Sequence, residues 1–536
     1  MKLAKLVQAN PREIATRIVS EITKLPLFSD MVEKVEVAGP GFINIHLKPQ
    51  FVEREIARML QEKKLGITPT KREKIVVDFS SPNTAKEMHV GHLRSTIIGD
   101  ALARLFEFLG DNVVRLNHIG DWGTAFGMLI EYIKAHKKEV LEDQESITLK
   151  QLVQYYKEAK ELFDKDPVFK KESQQEVVAL QGGEQEARAI WKAICHISRK
   201  GYQEIYDLLN VRLMERGESF YNEMLPEIIR DLEKKGLLTV SEGAKCVYVE
   251  GFVNREGEPL PLMVQKSDGG YTYDTTDMAT LKHRVEEEKA ERIIIVTDAG
   301  QATHFQMIFK AAELAGYVDR SKVRLDHVPF GLVLGADGKK FRTRSGETER
   351  LIDLITAAIT AALEILKQRG YSWPQTELDA LAKALGIAAI KYADLSCNRV
   401  SDYTFSYERM LRFEGNTAPF ILYSYVRCRG IEKKVGIDVE ALASQEGILL
   451  QHPSEIALGV RLAQFGETLE QVAQELLPNR LTDYLYSLAE TFNVFFRDCR
   501  VEGSPEQNSR LLLTELTARV LKQGLEILGI ETVERM

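Results

Sequence analysis

Two imidazoles, His89 and His92, are separated only by Val90 and Gly91, inside the run Ser80-Ser81-Pro82-Asn83-Thr84-Ala85-Lys86-Glu87-Met88-His89-Val90-Gly91-His92. Both rings can donate hydrogen bonds to a phosphate that gains charge in a transition state. Gly91 has no side chain to keep a flat base or a ribose away from the backbone. Taken alone, such a pair is as readily two exposed histidines or half a metal site. Its surroundings favour a nucleotide site. Ile75-Val76-Val77-Asp78-Phe79 is β-branched and ends in a turn cluster, the pattern of a buried strand. From His92 onward Leu93, Ile97, Leu102, Leu105, Phe106 and Leu109 recur at helical spacing, and Gly110 supplies a stop. Strand, loop and helix N-terminus place backbone N–H groups and a helix dipole where a phosphate would sit.

The totals bound what else the chain can be. At 536 residues it exceeds one ordinary core, so about three domains are expected. A formal charge of −8 excludes a bulk polycation but leaves room for a local basic groove. Cys195, Cys246, Cys397, Cys428 and Cys499 form no CxxC pair, so neither a structural zinc nor a disulfide framework is expected, and a reducing, cytoplasmic compartment is. No run approaches a membrane span and no apolar signal core opens the chain. Glu13 and Glu21, among Lys2, Lys5, Arg12 and Arg17, make a transit peptide a poor second choice.

Residues 1–72 read as a small α+β module: a helix from Pro11, strands at Val35–Val37 and Phe42–Leu47 around Gly39-Pro40-Gly41, and a helix from Phe51 to Leu60. A second strand, Asn112 to His118, continues an alternating β-α-β pattern, with Asn117 at its carboxyl end, where open parallel sheets bind ligands. Simple turn chemistry explains such an asparagine equally well. From about residue 132 to 206 the chain turns charged and helical, most simply a solvated insertion. Strands are expected at Cys246–Val253 and Leu260–Gln265, ahead of Gly269 to Asp277. If a helix starts near Tyr273, Tyr273 and Asp277 face the same way, a phenol beside a carboxylate as a planar cation requires. Asp274 reads as a capping residue. The nearly continuous Ile and Val of Arg292–Thr297 predict a strand buried on both faces. Beyond it lie Gln301, three residues before His304, and a strand at Val323–Val328. The basic loop Gly335 to Gly346 then suits a flap over a triphosphate, though alone it would read as a basic hairpin. From Leu351 on the chain reads as helical, with Tyr423, Tyr425, Arg427 and Arg429 offering stacking and cationic groups; the tyrosines fit a buried stripe equally well.

With Ser-Pro-Asn-x-x-Lys before the histidines and Leu-Arg-Ser-Thr after them, the run resembles the HIGH signature of class I aminoacyl-tRNA synthetases, in the form seen in arginyl-tRNA synthetases. Phe341-Arg342-Thr343-Arg344-Ser345 similarly resembles the KMSKS loop in the family's degenerate form. Arg344 matches the second lysine and Phe341 replaces the first, and Lys86 lies where the family is thought to compensate. Further similarities are Val37 to Asn44, Ile390 to Leu395, Ser401-Asp402-Tyr403, Asn416 to Phe420, the helix Leu511 to Leu528 and the Glu534-Arg535-Met536 end, which suggests a complete C-terminus. The resemblance covers nearly everything from about residue 30. The family usually has more sequence upstream of Pro11-Arg12-Glu13-Ile14, so a shortened module or a misplaced start is expected, and the family's glutamine near Leu422 is missing.

The resemblance implies a doubly wound parallel-sheet (Rossmann-like) α/β catalytic domain over residues 73–411, carrying the helical insertion at about 132–206. It implies a tRNA-contacting α+β module at 1–72 and an all-α anticodon-binding domain at 412–536. It implies tRNA-dependent activation of L-arginine by ATP, with Mg2+ carried on the nucleotide and no metal site in the protein, followed by transfer to the terminal adenosine of tRNA(Arg). His89, His92, Lys86 and Arg344 would stabilise transition-state charge, with Gly91 and Arg342 also on ATP. Asn83, Asn117, Tyr273, Asp277 and Gln301 would hold arginine, and Tyr423 and Arg427 would meet tRNA. A monomer is the default. Two rivals are another HxGH nucleotidyltransferase that adenylates a small acid, and a relative that has lost catalysis and serves as an interaction module. The helical C-terminal domain and the Tyr273/Asp277 pair weigh against the first, the intact pocket residues against the second.

Overall fold

The computed structural model describes residues 6–69, 72–341 and 349–536. Strand β1 (Val32–Ala38) pairs antiparallel with β2 (Phe42–Leu47) behind the helix Pro11–Ile22, whose first turn is capped by the Asn10 side chain. The next helix, Pro49–Gln61, buries Val52, Ile56, Met59 and Leu60. Its partner is remote in sequence. Gly459 of the helix Pro453–Ala463 lies so close that an added Cβ would come within 3.1 Å of Val52 Cγ1.

The centre is a five-stranded parallel sheet: β3 (Lys74–Asp78), β4 (Asn112–Asn117), β5 (Met214–Glu215), β9 (Arg292–Asp298) and β10 (Arg324–Phe330). Their order across the sheet is β10-β9-β3-β4-β5. The winding therefore reverses between β3 and β9, and ligands of doubly wound sheets bind outside the carboxyl ends of the strands at such a reversal. The Ile and Val runs are explained by burial on both faces. Ile75, Val77, Ile294 and Val296 enter one core, while Val76, Leu116, Ile293 and Ile295 enter the other. The two-residue β5, too short to leave a sequence pattern, extends the sheet beside Leu116 and Asn117.

A second sheet of β6 (Thr239–Ser241), β7 (Ala244–Val253) and β8 (Pro259–Gln265) delivers the chain to the helix Tyr273–Glu286. The insertion consists of helices Ala125–His136, Glu139–Glu142, Leu149–Lys165, Pro167–Gly182 and Gln185–Leu208. It is more than a solvated excursion. The last of these helices buries Ile190, Ile194, Ile197, Tyr202 and Tyr206 and packs on the sheet's loops. Beyond Leu351 the described chain is helical except for β12 (Tyr403–Thr404), which pairs with β11 (Val333–Leu334) at the base of the basic loop.

A buried lysine closes the joint between these parts. Lys391, 1% exposed in the helix Gln375–Leu395, donates to the carbonyls of Leu209 and Gly529, the latter at 2.6 Å. Burial pulls its pKa down to about 8. Beside it Asp100 accepts from Arg104 at 2.7 Å and Arg115 at 2.6 Å, and Asn210 donates to Glu531 at 2.9 Å. Replacing Lys391 with Met strands two buried carbonyl oxygens, which should destabilise the protein by about 2–4 kcal/mol. Urea unfolding measures this, and an unchanged midpoint would show that the ammonium does not hold the joint.

Candidate active site

After β3 the backbone takes a shape that ordinary residues resist. Ser80, Ser81 and Ala85 have φ of 71°, 47° and 57°, a left-handed region that is costly for residues with a Cβ. Each is held by a side chain from elsewhere. The Ser80 N–H donates to Ser95 Oγ at 2.9 Å, the Ser81 N–H to Asn117 Oδ1 at 2.9 Å and the Ala85 N–H to Ser198 Oγ at 3.0 Å. The loop also pairs with the end of the β4 segment: Thr84 N–H meets the Gly120 carbonyl at 3.1 Å, and Gly120 N–H meets that of Pro82 at 3.1 Å. A Cβ on Gly120 would fall 2.0 Å from Asn83 Oδ1 and would push that side chain aside. Asn83 and Lys86 emerge exposed from the loop. Asn117 is buried, with Oδ1 engaged by Ser81 and Nδ2 donating to Tyr206 at 3.1 Å. Both ends of this amide, expected on arginine, are thus engaged within the protein.

The imidazoles sit at the start of the helix Val90–Leu109. His89 Nδ1 accepts from the Gly91 N–H at 3.0 Å, and His92 Nδ1 accepts from the His89 N–H at 3.1 Å. Both rings therefore carry their proton on Nε2 and offer it outward as a donor. A Cβ on Gly91 would meet His89 Cε1 at 2.9 Å, so this glycine makes room for its neighbour's ring as well. Burial, with Lys340 nearby, lowers the His89 pKa. Burial, then His89 and Lys86, lowers that of His92 to about 3. Both rings are thus held neutral, and the positive charge beside them is that of Lys86 and Lys340.

Lys340 belongs to the basic loop. There Gly335 N–H donates to Lys339 O at 2.8 Å and Phe341 N–H to Val333 O at 2.9 Å. The Phe341 ring packs on Phe405 with centroids 5.2 Å apart. The residue standing where a lysine was expected is thus part of the loop's base. Arg342 and Arg344 lie outside the described residues. Both ends of the loop are tied to the histidine segment. On one side Arg94, fully buried, pairs with Asp394 and donates to the carbonyls of Gly331 (2.8 Å) and Ser401 (3.2 Å). On the other, Leu351 N–H donates to Met88 O at 2.8 Å and Arg350 forms a bridge with His89.

The second half of the site is acidic. The helix Tyr273–Glu286 begins at Tyr273, with Thr272 as its N-cap, so Tyr273 and Asp277 lie one turn apart. Tyr273 is 65% exposed. Asp277 Oδ2 lies 2.6 Å from His304 Nε2, and the Tyr273 ring meets that of His304 edge-on at 5.1 Å. Asp274, expected as a cap, is instead buried 3.4 Å from His304 Nδ1. Burial, only partly offset by His304, raises its pKa to about 6. Glu218 is half-buried, and the loss of water around it, with the charges of Asp277 and Asp121, raises it to about 7. His304 is pulled down by burial, but its bond to Asp277 and the charges of Asp277 and Asp274 hold it above its ordinary value. Gln301 is exposed at the end of the short 3-10 turn Ala299–Gln301 that follows β9. Sequence reasoning missed Glu218, Lys340 and His304 as members of the site. The position of His304 three residues after Gln301 was the one available signal.

In the C-terminal helices the four residues singled out by composition divide. Arg427 lies over the rings of Tyr423 and Phe496, each at 4.9 Å, and donates to Asn493 at 2.6 Å on a partly exposed face. Tyr425 is buried, and Arg429 is engaged by Glu432 at 2.6 Å and Glu515 at 2.5 Å, so that pair is structural. For the histidines, 15N NMR should find His92 in the Nε2–H form with no titration between about pH 5 and 8. A titration near its ordinary value would mean that the ring is solvated.

The description "tRNA synthetases class I (R), catalytic domain" matches residues 55–407, "DALR anticodon binding domain" matches 421–536, and "Arginyl tRNA synthetase N terminal domain" matches 1–47. An arginine–tRNA ligase of Protochlamydia amoebophila is 61% identical over all of this chain and 91% of its own length. One from Trichodesmium erythraeum is 51% identical over all of this chain and 92% of its own. The crystal structure of arginyl-tRNA synthetase from Plasmodium falciparum superposes with a TM-score of 0.86 at 35% identity, covering all of this chain and 91% of that one. With a reversal-point sheet, a HIGH loop and these relatives in agreement, the chain belongs to the arginyl-tRNA synthetases of class I.

Proposed function

We propose that this site activates L-arginine with ATP and passes the arginyl group to the terminal adenosine of tRNA(Arg). The observation that carries the reading is the meeting of two unlike half-sites at one end of the sheet. One is a helix N-terminus with two neutral Nε2–H donors flanked by Lys86 and Lys340, and the other a cluster of three carboxylates with His304. Triphosphate suits the first and guanidinium the second.

In the first step an oxygen of the arginine carboxylate attacks the α-phosphorus of ATP, and pyrophosphate leaves. His89 and His92 donate to the phosphate oxygens as charge grows, and Lys86, with Arg342 and Arg344 of the basic loop, neutralises the departing pyrophosphate. Asn83, Tyr273, Asp277 and Gln301 hold arginine, with Asp277 on the guanidinium, and Asn117 fixes the loop that carries Asn83. In the second step a hydroxyl of the terminal ribose attacks the arginyl carbonyl and AMP leaves. Neither step needs a nucleophile from the protein, since alignment and charge stabilisation suffice. Magnesium is expected to arrive on the triphosphate, where it offsets phosphate charge. Among the described residues no group of three or more His, Cys, Asp or Glu gathers to hold a metal, so no step is assigned to a protein-bound ion.

The same reading divides the chain into a tRNA-contacting module (1–72), a catalytic domain (73–411, with its insertion at about 132–206) and an anticodon-binding domain (412–536). On the last of these Tyr423 and Arg427 form a platform on which an unpaired base can stack. A cytoplasmic monomer whose activation step requires tRNA completes it. Among the described residues no helix is long and apolar enough to cross a membrane.

Arginine-dependent ATP–pyrophosphate exchange, run with and without tRNA(Arg), tests the reading. Exchange is expected only with tRNA present, and Asp277→Ala should abolish arginine use while sparing ATP binding. Exchange driven by another amino acid, or an unchanged arginine KM in the variant, would overturn it. The acidic half-site also fixes a pH dependence. As pH rises from about 6, Asp274 and Glu218 ionise and His304 gives up its proton. Each loss makes the pocket more negative, so the KM for arginine should fall with rising pH, and a flat profile would place the guanidinium elsewhere.

A further inference from the structure

Ser198, Tyr202 and Tyr206 follow one another at intervals of four on the last helix of the insertion, so they share one face. That face tracks the histidine loop along its length. Ser198 Oγ takes the Ala85 N–H at 3.0 Å. The Tyr202 hydroxyl donates to the carbonyl of Asn83 and lies 3.3 Å from that of Lys86. The Tyr206 hydroxyl sits 2.7 Å from Ser80 Oγ and 3.1 Å from Asn117 Nδ2.

Proton arithmetic gives the Tyr206 contacts a direction. An amide nitrogen only donates, so the Tyr206 oxygen accepts from Asn117 and its own proton is left for Ser80 Oγ. Ser80 Oγ in turn gives its own proton to Thr96 Oγ1 at 2.8 Å, because the Thr96 proton goes to the His92 carbonyl at 2.6 Å. Asn117 in turn holds the Ser81 N–H. One phenol, 4% exposed, therefore secures both members of the left-handed Ser80–Ser81 pair.

We propose that Tyr206 is a positioning residue for adenylate formation: from the insertion, its hydroxyl holds Ser80 and Asn117 and thereby fixes the loop from which Asn83 and Lys86 reach the substrates. This rests on the assignment of that loop to arginine and ATP made above. Tyr206 touches neither substrate. It acts by keeping the loop in a shape that its own residues do not favour.

The test uses the full-length enzyme with tRNA(Arg), comparing Tyr206→Phe, Ser80→Ala, the double variant and Lys86→Ala. Exchange kinetics are measured for arginine and for tRNA, with kcat expressed per titrated active site. Tyr206→Phe should raise the KM for arginine and lower kcat per site, so that kcat/KM falls about tenfold, with the KM for tRNA unchanged. The losses in the double variant should fall short of the product of the single ones, because the two changes share the Tyr206–Ser80 bond. Unchanged arginine kinetics in Tyr206→Phe would overturn the proposal. So would a loss explained wholly by fewer active sites at constant KM, or losses that multiply in the double variant. If the phenylalanine variant does not fold, Ser80→Ala removes the shared Tyr206–Ser80 bond from the other side and should likewise raise the KM for arginine with the KM for tRNA unchanged. Lys86→Ala separates the two levels: full activity there would overturn the assignment of the loop itself, whatever Tyr206→Phe does.

Discussion

Three residues with side chains, Ser80, Ser81 and Ala85, occupy left-handed backbone within one short loop, and the architecture around the site can be understood as what keeps them there. Left-handed backbone costs each such residue on the order of 1 kcal/mol or more, and each of the three N–H groups is bonded by a side chain from outside the loop. The bonds come from three directions: Ser95 on the helix that the loop opens, Asn117 at the end of β4, and Ser198 on the insertion. What the constraint achieves is exposure. A conventional strand-to-helix turn would not present Asn83 and Lys86 outward while placing two imidazoles at the helix start with both Nδ1 atoms already occupied. Preorganised donors do not have to reorient as charge develops, which is the main source of their catalytic value.

The basic loop depends on the same segment. Arg94, two residues after His92, fastens the segments at 331 and 401, and Met88 fastens the return at Leu351. The histidine segment and the base of the basic loop are therefore both built on one piece, the start of the helix Val90–Leu109. Phe341 fits this arrangement. A lysine there would give up the contact with Phe405 that anchors the base. Lys340, one residue earlier, already brings a cation to His89.

Much of this was legible in local sequence, and what was not has definite causes. Continuous Ile and Val marked β3 and β9 because those strands are buried on both sides, and helical spacing put Tyr273 and Asp277 on one face because a helix does begin at Tyr273. Asp274 was misread as a cap because its partner, His304, comes from a separate helix beyond β9 and no local pattern announces the meeting. The insertion looked solvated because its charged faces dominate the composition, whereas its working face is a serine and two tyrosines hidden among apolar residues. The Tyr423, Tyr425, Arg427 and Arg429 group could have been divided in advance. Residues four apart share a face, so 423 goes with 427 and 425 with 429, and only one pair can look outward.

The joint at Lys391 has a consequence for how the protein is made. Its ammonium is satisfied only when Leu209 and Gly529 both reach it, and Gly529 lies 138 residues further along the chain, on the order of ten seconds of synthesis at roughly 5–20 residues per second. The helix Pro49–Gln61 waits similarly for the helix Pro453–Ala463. Until then the helices Gln375–Leu395 and Pro49–Gln61 lack the C-terminal partners that cover Lys391 and Val52 in the finished fold. The order of emergence from the ribosome makes the C-terminal helices the piece that locks domains translated long before them.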